Sequence, residues 1–151
     1  MDFISQRVKS LAASQTLAMS QKSSELRASG IDVINLSVGE PDFNTPDHIK
    51  AAACRAIDEN FSFYSPVPGY ISLREAICEK LSRENGLEYK PSQIVVGNGA
   101  KQALCNVILS TVNPGDEVVI PTPAWVSYVE MVKLAEGVTV EVYAGVEQDF
   151  K

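Results

Sequence analysis

The sequence is 151 residues long, 45% apolar and 21% charged, with a formal net charge of −6. That is enough chain for one ordinary core, and its apolar runs are too short to cross a bilayer. The acidic balance and scattered Lys and Arg argue against a general nucleic-acid or anionic-membrane binder, and the start, Met1-Asp2-Phe3-Ile4-Ser5-Gln6-Arg7, lacks the regions of a signal peptide.

The first expected element is a helix over Thr16–Ser29, stopped by Gly30 at the position after its cap. Val33-Ile34-Asn35-Leu36 reads as a short strand, followed by the turn-rich Gly39-Glu40-Pro41-Asp42-Phe43-Asn44-Thr45-Pro46. Thr45 as N-cap and Pro46 at the first helical position open a helix to about Asn60, with Ile49, Ala52, Ala53, Ala56 and Ile57 on one stripe. Phe61–Tyr70, rich in proline and aromatics, reads as an irregular loop. Leu73, Ile77 and Leu81 then mark a helix that ends at Asn85-Gly86.

The second half alternates faster. Ile94-Val95-Val96 reads as a strand, Ala100–Thr111 as a helix and Asn113-Pro114-Gly115-Asp116 as a turn. Glu117–Pro121 reads as a strand, Trp125–Leu134 as a helix and Val138–Tyr143 as a strand. This alternation implies parallel β–α–β units, an α/β class, and binding sites at the carboxyl ends of strands. The strands make an incomplete sheet, and the opening segment reads as an arm wanting a partner surface. The expectation is the N-terminal part of a larger protein.

Two corners carry the candidate chemistry. Val96-Gly97-Asn98-Gly99-Ala100-Lys101 runs from a strand through glycines into a helix, which offers backbone N–H groups and a positive dipole end to an anion such as phosphate. Gln102 takes the third glycine position of a dinucleotide fingerprint, and the spacing of a Walker loop is absent. The same turn is also ordinary strand-to-helix chemistry. Trp125, the only Trp, opens a helix beyond the next strand. It is either a flat binding face or a core residue. His48, on the second turn of its helix, reads as solvated, with no metal partners at usable spacing. Cys54, Cys78 and Cys105 read as buried apolar residues in a reducing compartment, so the expected setting is the cytoplasm.

Taken together, the ordered motifs resemble the class I pyridoxal-phosphate aminotransferases, particularly the bacterial aspartate aminotransferase subgroup. The resemblance is carried by Ile34–Pro46, Tyr64 with Gly69, Leu73-Arg74-Glu75-Ala76-Ile77, Ile94–Leu104, Asn113–Val118 and Pro121–Tyr128. It implies fold-type I of the pyridoxal-phosphate transferases: residues 1–45 as N-terminal arm and small-domain segment, and 46–151 as the first part of the large cofactor domain with its parallel or mixed sheet.

The resemblance also assigns roles. Gly39 matches the glycine whose backbone approaches the substrate α-carboxylate. Gly99, Ala100 and Lys101 match the turn that binds the phosphate of pyridoxal 5′-phosphate, and Lys101 stands where a cation meets a substrate's distal carboxylate. Trp125 matches the aromatic stacked on the cofactor ring, with its N–H in reach of substrate. Tyr64 matches the residue that crosses a homodimer to the neighbour's phosphate. The implied reaction moves an amino group from an amino acid, aspartate-like by Lys101, to a 2-oxo acid. Ala12 gives the arm no second positive charge for a bulkier dicarboxylate. In the family the Schiff-base lysine comes later than residue 151, so the printed chain is expected to be inactive. The other class kept open is a non-catalytic aminotransferase-like sensor or regulatory domain, though no basic DNA-binding module precedes the arm.

Overall fold

The computed structural model describes residues 3–151; Met1 and Asp2, which open the expected arm, lie outside the described residues. In chain order the elements are α1 (Gln6–Lys9), α2 (Gln15–Ala28), α3 (Asp47–Asp58), α4 (Ile71–Asn85), α5 (Ala100–Thr111), β1 (Glu117–Thr122), α6 (Val126–Leu134) and β2 (Val138–Tyr143). They fall into two compact units. One is Ser14–Val95; the other joins the chain up to Ala13 with Val96–Lys151. Among the described residues no helix is long and apolar enough to cross a membrane.

In the unit Ser14–Val95, helix ends follow local chemistry. Ser14 caps α2 by accepting the Leu17 N–H at 3.3 Å. Past its end Gly30 turns to φ 80°, with Gly30 N–H on the Arg27 carbonyl and Ile31 N–H on that of Leu26. This paired arrangement satisfies carbonyls that the last turn leaves open. Asn60 does the same for α3 at φ 61°, with Phe61 N–H on Ala56. The cap of α3 differs from the expectation by one residue. Pro46, not Thr45, accepts the first helical N–H groups, from Ile49 and Lys50, while its own ψ of 142° stays extended. The apolar stripe of α3 is present but uncovered, with Ile57 74% exposed.

The strand expected at Val33–Leu36 does not form. The segment is held to α2 by Arg27, whose guanidinium donates to the Val33 carbonyl at 3.1 Å, and Asn35 Oδ1 takes the Ser37 N–H at 3.1 Å. The strand expected at Ile94–Val96 is likewise unpaired, although Ile94 has extended φ/ψ of −105° and 129°. A ladder needs a second backbone at hydrogen-bonding distance, and among the described residues neither segment meets one.

The other unit holds the sheet and the core. β1 and β2 pair in parallel from Glu117↔Val138 to Thr122↔Tyr143, and α6 connects them. Ile120, Met131, Val132, Ala135 and Ala144 are buried where α6 packs on the two strands. Gly137 permits that junction: a Cβ there would lie 2.8 Å from Val112 Cγ1 and 3.1 Å from Val132 Cγ1. The Asn113–Asp116 turn is closed by the Asp116 carboxylate, which accepts the Asn113 N–H at 2.7 Å and its side-chain amide at 3.0 Å. Those bonds hold the Asp116 carboxyl below the usual carboxylate range. The cysteines depart from the expected burial: Cys54, on the uncovered helix α3, is exposed, and Cys78 on α4 and Cys105 on α5 are half-buried, their helix faces only partly covered.

Candidate functional site

Gly99 sets up the first corner. It precedes α5 with φ 85° and ψ 161°, a region that only glycine occupies without strain. Its N–H donates to the Gly97 carbonyl at 2.9 Å, and the helical ladder starts only at Ala103 N–H on the Gly99 carbonyl, 3.2 Å away. The amides of Ala100, Lys101 and Gln102 are therefore the open donors at the positive end of α5. A Cβ at Gly99 would meet nothing within 4 Å, so the space before these amides is open. Gly97 is different: its missing side chain lets Ala103 approach to 3.2 Å of where a Cβ would stand.

Gln102 has a role that composition alone does not show. Its side-chain oxygen accepts the Asn98 N–H and ties the turn to the helix it opens. The signal was available in the sequence, since glutamine at the third helical position is where a side chain reaches back to the preceding backbone.

Trp125 stands immediately before α6 and is 44% exposed, whereas Val132 on the same helix is 1% exposed. It lies outside the buried stripe of Met131, Val132 and Ala135. The structure brings it to Lys101, whose Nζ sits 4.5 Å from the indole centroid. Tyr128, one turn along, meets Trp125 edge-on at 5.6 Å and 86°, which fixes the ring's tilt. An i, i+3 aromatic pair on a helix start is the signal for that contact. Together they form a corner with open amides, a cation and an exposed flat ring.

The segment before α2 is fastened to α6 through Ala12. Glu130 accepts Lys133 Nζ at 2.9 Å and the Ala12 N–H at 2.9 Å. The Lys133 bond, then the Ala12 amide, hold the Glu130 carboxyl below the ordinary glutamate range against partial desolvation. Ala12 therefore offers a methyl, and its amide is already engaged.

The two remaining sequence-expected residues lie in the unit Ser14–Val95. Gly39 sits in an exposed stretch without regular structure, with a φ outside the left-handed region and nothing within 4 Å of an added Cβ. Tyr64 stands on the Phe61–Tyr70 loop and is fully exposed at 105%. The loop itself is ordered by an edge-on Phe61–Tyr70 contact at 5.7 Å, by Gly69 N–H on the Pro66 carbonyl at 2.8 Å, and by Arg74. Arg74 left no sequence signal of this, since its partners are main-chain carbonyls.

A family model described as aminotransferase class I and II matches residues 31–151. An aspartate/prephenate aminotransferase of Cereibacter sphaeroides is 55% identical over 151 residues, which is all of this chain and 38% of that protein. An aspartate aminotransferase of a Bacillus species is 49% identical over 150 residues, 99% of this chain and 38% of that protein. The solved structure of the Thermus thermophilus aspartate aminotransferase with maleate superposes with a TM-score of 0.94 at 47% identity, covering 99% of this chain and 39% of that one. The chain thus spans about two-fifths of the length of the relatives it matches.

Proposed function

The chain belongs to the class I and II aminotransferases, with the fold of the fold-type I pyridoxal-phosphate transferases, and on that basis we propose that it supplies the phosphate- and ring-binding part of an aspartate-type transaminase. The substrates in this reading are an amino acid with a distal carboxylate and a 2-oxo acid. The proposed setting is the cytoplasm, in keeping with three free cysteines. The proposed division is residues 1–45 as arm and small-domain segment and 46–151 as the start of the large cofactor domain.

The observation that carries the reading is the Lys101–Trp125 corner. Open amides at Ala100 and Lys101, the space left by Gly99, and a flat indole beside them suit a phosphate joined to a planar aromatic ring. When bound, pyridoxal 5′-phosphate supplies an electron sink for charge left at the substrate Cα. The residues here bind and orient. The α5 amides hold the phosphate, Trp125 sets the ring plane, and its N–H donates to a substrate oxygen. Lys101 meets the distal carboxylate, so the Thermus thermophilus protein's maleate, itself a dicarboxylate, is the kind of ligand expected. Gly39, which no local contact requires to be glycine, leaves its backbone open to the substrate α-carboxylate. Tyr64, fully exposed on its own subunit, reaches the phosphate of a second subunit in a homodimer. Ala12 adds no charge, which favours aspartate over a bulkier dicarboxylate.

The test is donor preference in the complete enzyme that carries these residues. Lys101→Gln should lower kcat/KM for aspartate far more than for a neutral amino acid. Equal losses would reassign Lys101 to the cofactor alone. No transamination with any amino donor would favour the sensor reading.

A further inference from the structure

Tyr64 stands on the exposed tip of a loop, with Phe63 and Val67 also exposed. A side chain meant to make one hydrogen bond to a distant group needs a fixed origin, because a misplaced tip forfeits the bond. The loop has the stiffness to transmit a fixed origin. Pro66 and Pro68 lock φ and restrict Ser65 and Val67 before them, and Gly69 at φ 96° closes back on the Pro66 carbonyl at 2.8 Å. Where Gly69 is held therefore decides where Tyr64 is presented.

Arg74 holds Gly69. From the first turn of α4, its Nε donates to the Gly69 carbonyl at 3.1 Å and its NH1 to the Pro91 carbonyl at 2.8 Å. A planar guanidinium bridges two carbonyls from separate segments in one geometry; an ammonium on a flexible stem does not. The side chain is half-buried, and among the described residues it makes no ion pair. Its fork serves backbone only.

We propose that Arg74 is the positioning residue for Tyr64: by bridging the Gly69 and Pro91 carbonyls it anchors the Phe61–Tyr70 loop so that the phenol meets the neighbouring subunit's cofactor phosphate. This rests on the reading of Tyr64 as that phosphate's partner.

A double-mutant cycle in the complete dimeric enzyme tests it, reading retention of pyridoxal phosphate on dialysis against inorganic phosphate. Tyr64→Phe should weaken retention about tenfold or more, the loss of one hydrogen bond to a charged group. Arg74→Lys should weaken it by a comparable factor with helix content and dimer intact, and Arg74→Lys with Tyr64→Phe should be no weaker than Tyr64→Phe alone. Full retention by Arg74→Lys, or losses that multiply, overturns the proposal. Loss of the folded dimer in both Arg74→Lys and Arg74→Gln also overturns it, making Arg74 a general prop for α4. Full retention by Tyr64→Phe is a different result: it removes the reading of Tyr64 and takes the proposal with it.

Discussion

Lys101 Nζ lies 4.5 Å from the centroid of the Trp125 indole, so the first turn of α5 and the residue that opens α6 share one wall. A cation over an exposed aromatic face contributes about 0.5–1 kcal/mol. That is enough to bias both side chains toward the corner and too little to support the fold.

Trp125→Ala in the complete enzyme should therefore lower kcat/KM through loss of the ring stack and an N–H donor, while the melting temperature moves little. The buried stripe of α6 is Met131, Val132 and Ala135, and Trp125 is not in it. If the substitution mainly lowers the melting temperature and leaves the kinetics alone, Trp125 is a core residue and the ring face lies elsewhere.

Two glycines should respond oppositely. Gly99→Ala places a side chain at φ 85° and ψ 161°, costing roughly 1–3 kcal/mol and disturbing the amide turn, so both stability and phosphate affinity should fall. Gly39→Ala meets no neighbour and an ordinary φ, so stability should hold while substrate KM rises. Chemical denaturation alongside steady-state kinetics separates the two. A Gly39→Ala enzyme with unaltered KM would leave that glycine without a substrate role.

Tyr64→Phe should weaken cofactor retention by about 1.5–3 kcal/mol, the worth of a hydrogen bond to a charged phosphate. In the proposed reading Tyr64 acts on the other subunit, so mixing Tyr64→Phe subunits with subunits defective in the α5 turn should restore one good site per heterodimer. Failure of such mixing to recover activity would place Tyr64 outside the trans contact.

Much of this was legible in the sequence because the signals were local. Gly99 before α5 and the Asn113–Asp116 turn before β1 are punctuation that works within a few residues, and α5 and β2 fall where their patterns put them. Val33–Leu36 and Ile94–Val96 carry strand composition too, but strand pairing is a property of two segments and composition describes one. The Lys101–Trp125 contact was out of reach for a related reason. The resemblance assigned both residues to one cofactor, but their direct contact comes from the packing of α5 against α6, which neither corner's sequence contains. Arg74 stood in one of the motifs, but its bridging role was illegible because a carbonyl acceptor has no residue identity.

Acid should loosen the arm. Glu130 is held below the ordinary glutamate range by Lys133 and the Ala12 amide, so its folded-state pKa is depressed relative to the unfolded chain. The stability it contributes is complete above the unfolded value, about pH 4.3, and is lost as pH falls through the lower folded value. Glu130→Gln should thus destabilise at neutral pH and lose that deficit in strong acid. Urea midpoints measured from pH 7 down to about pH 3 would show the two curves converging; parallel curves would mean that the carboxylate's charge is irrelevant to the latch.

The 151 residues by themselves should be unable to transaminate. In the proposed reading the corner binds and orients, while the family resemblance implies a Schiff-base lysine that none of these residues matches, and orientation without that amine leaves substrate and cofactor unjoined. The uncovered apolar side chains of the unit Ser14–Val95, with Leu36 90% and Phe43 87% exposed, should make the isolated polypeptide bind hydrophobic dyes and self-associate. Purified residues 1–151 incubated with pyridoxal phosphate and borohydride should show only scattered, substoichiometric labelling. A single lysine labelled one-to-one, with turnover of aspartate and 2-oxoglutarate, would show that the chemistry is carried within these residues after all, and Lys101, nearest the aromatic wall, would be the first position to map.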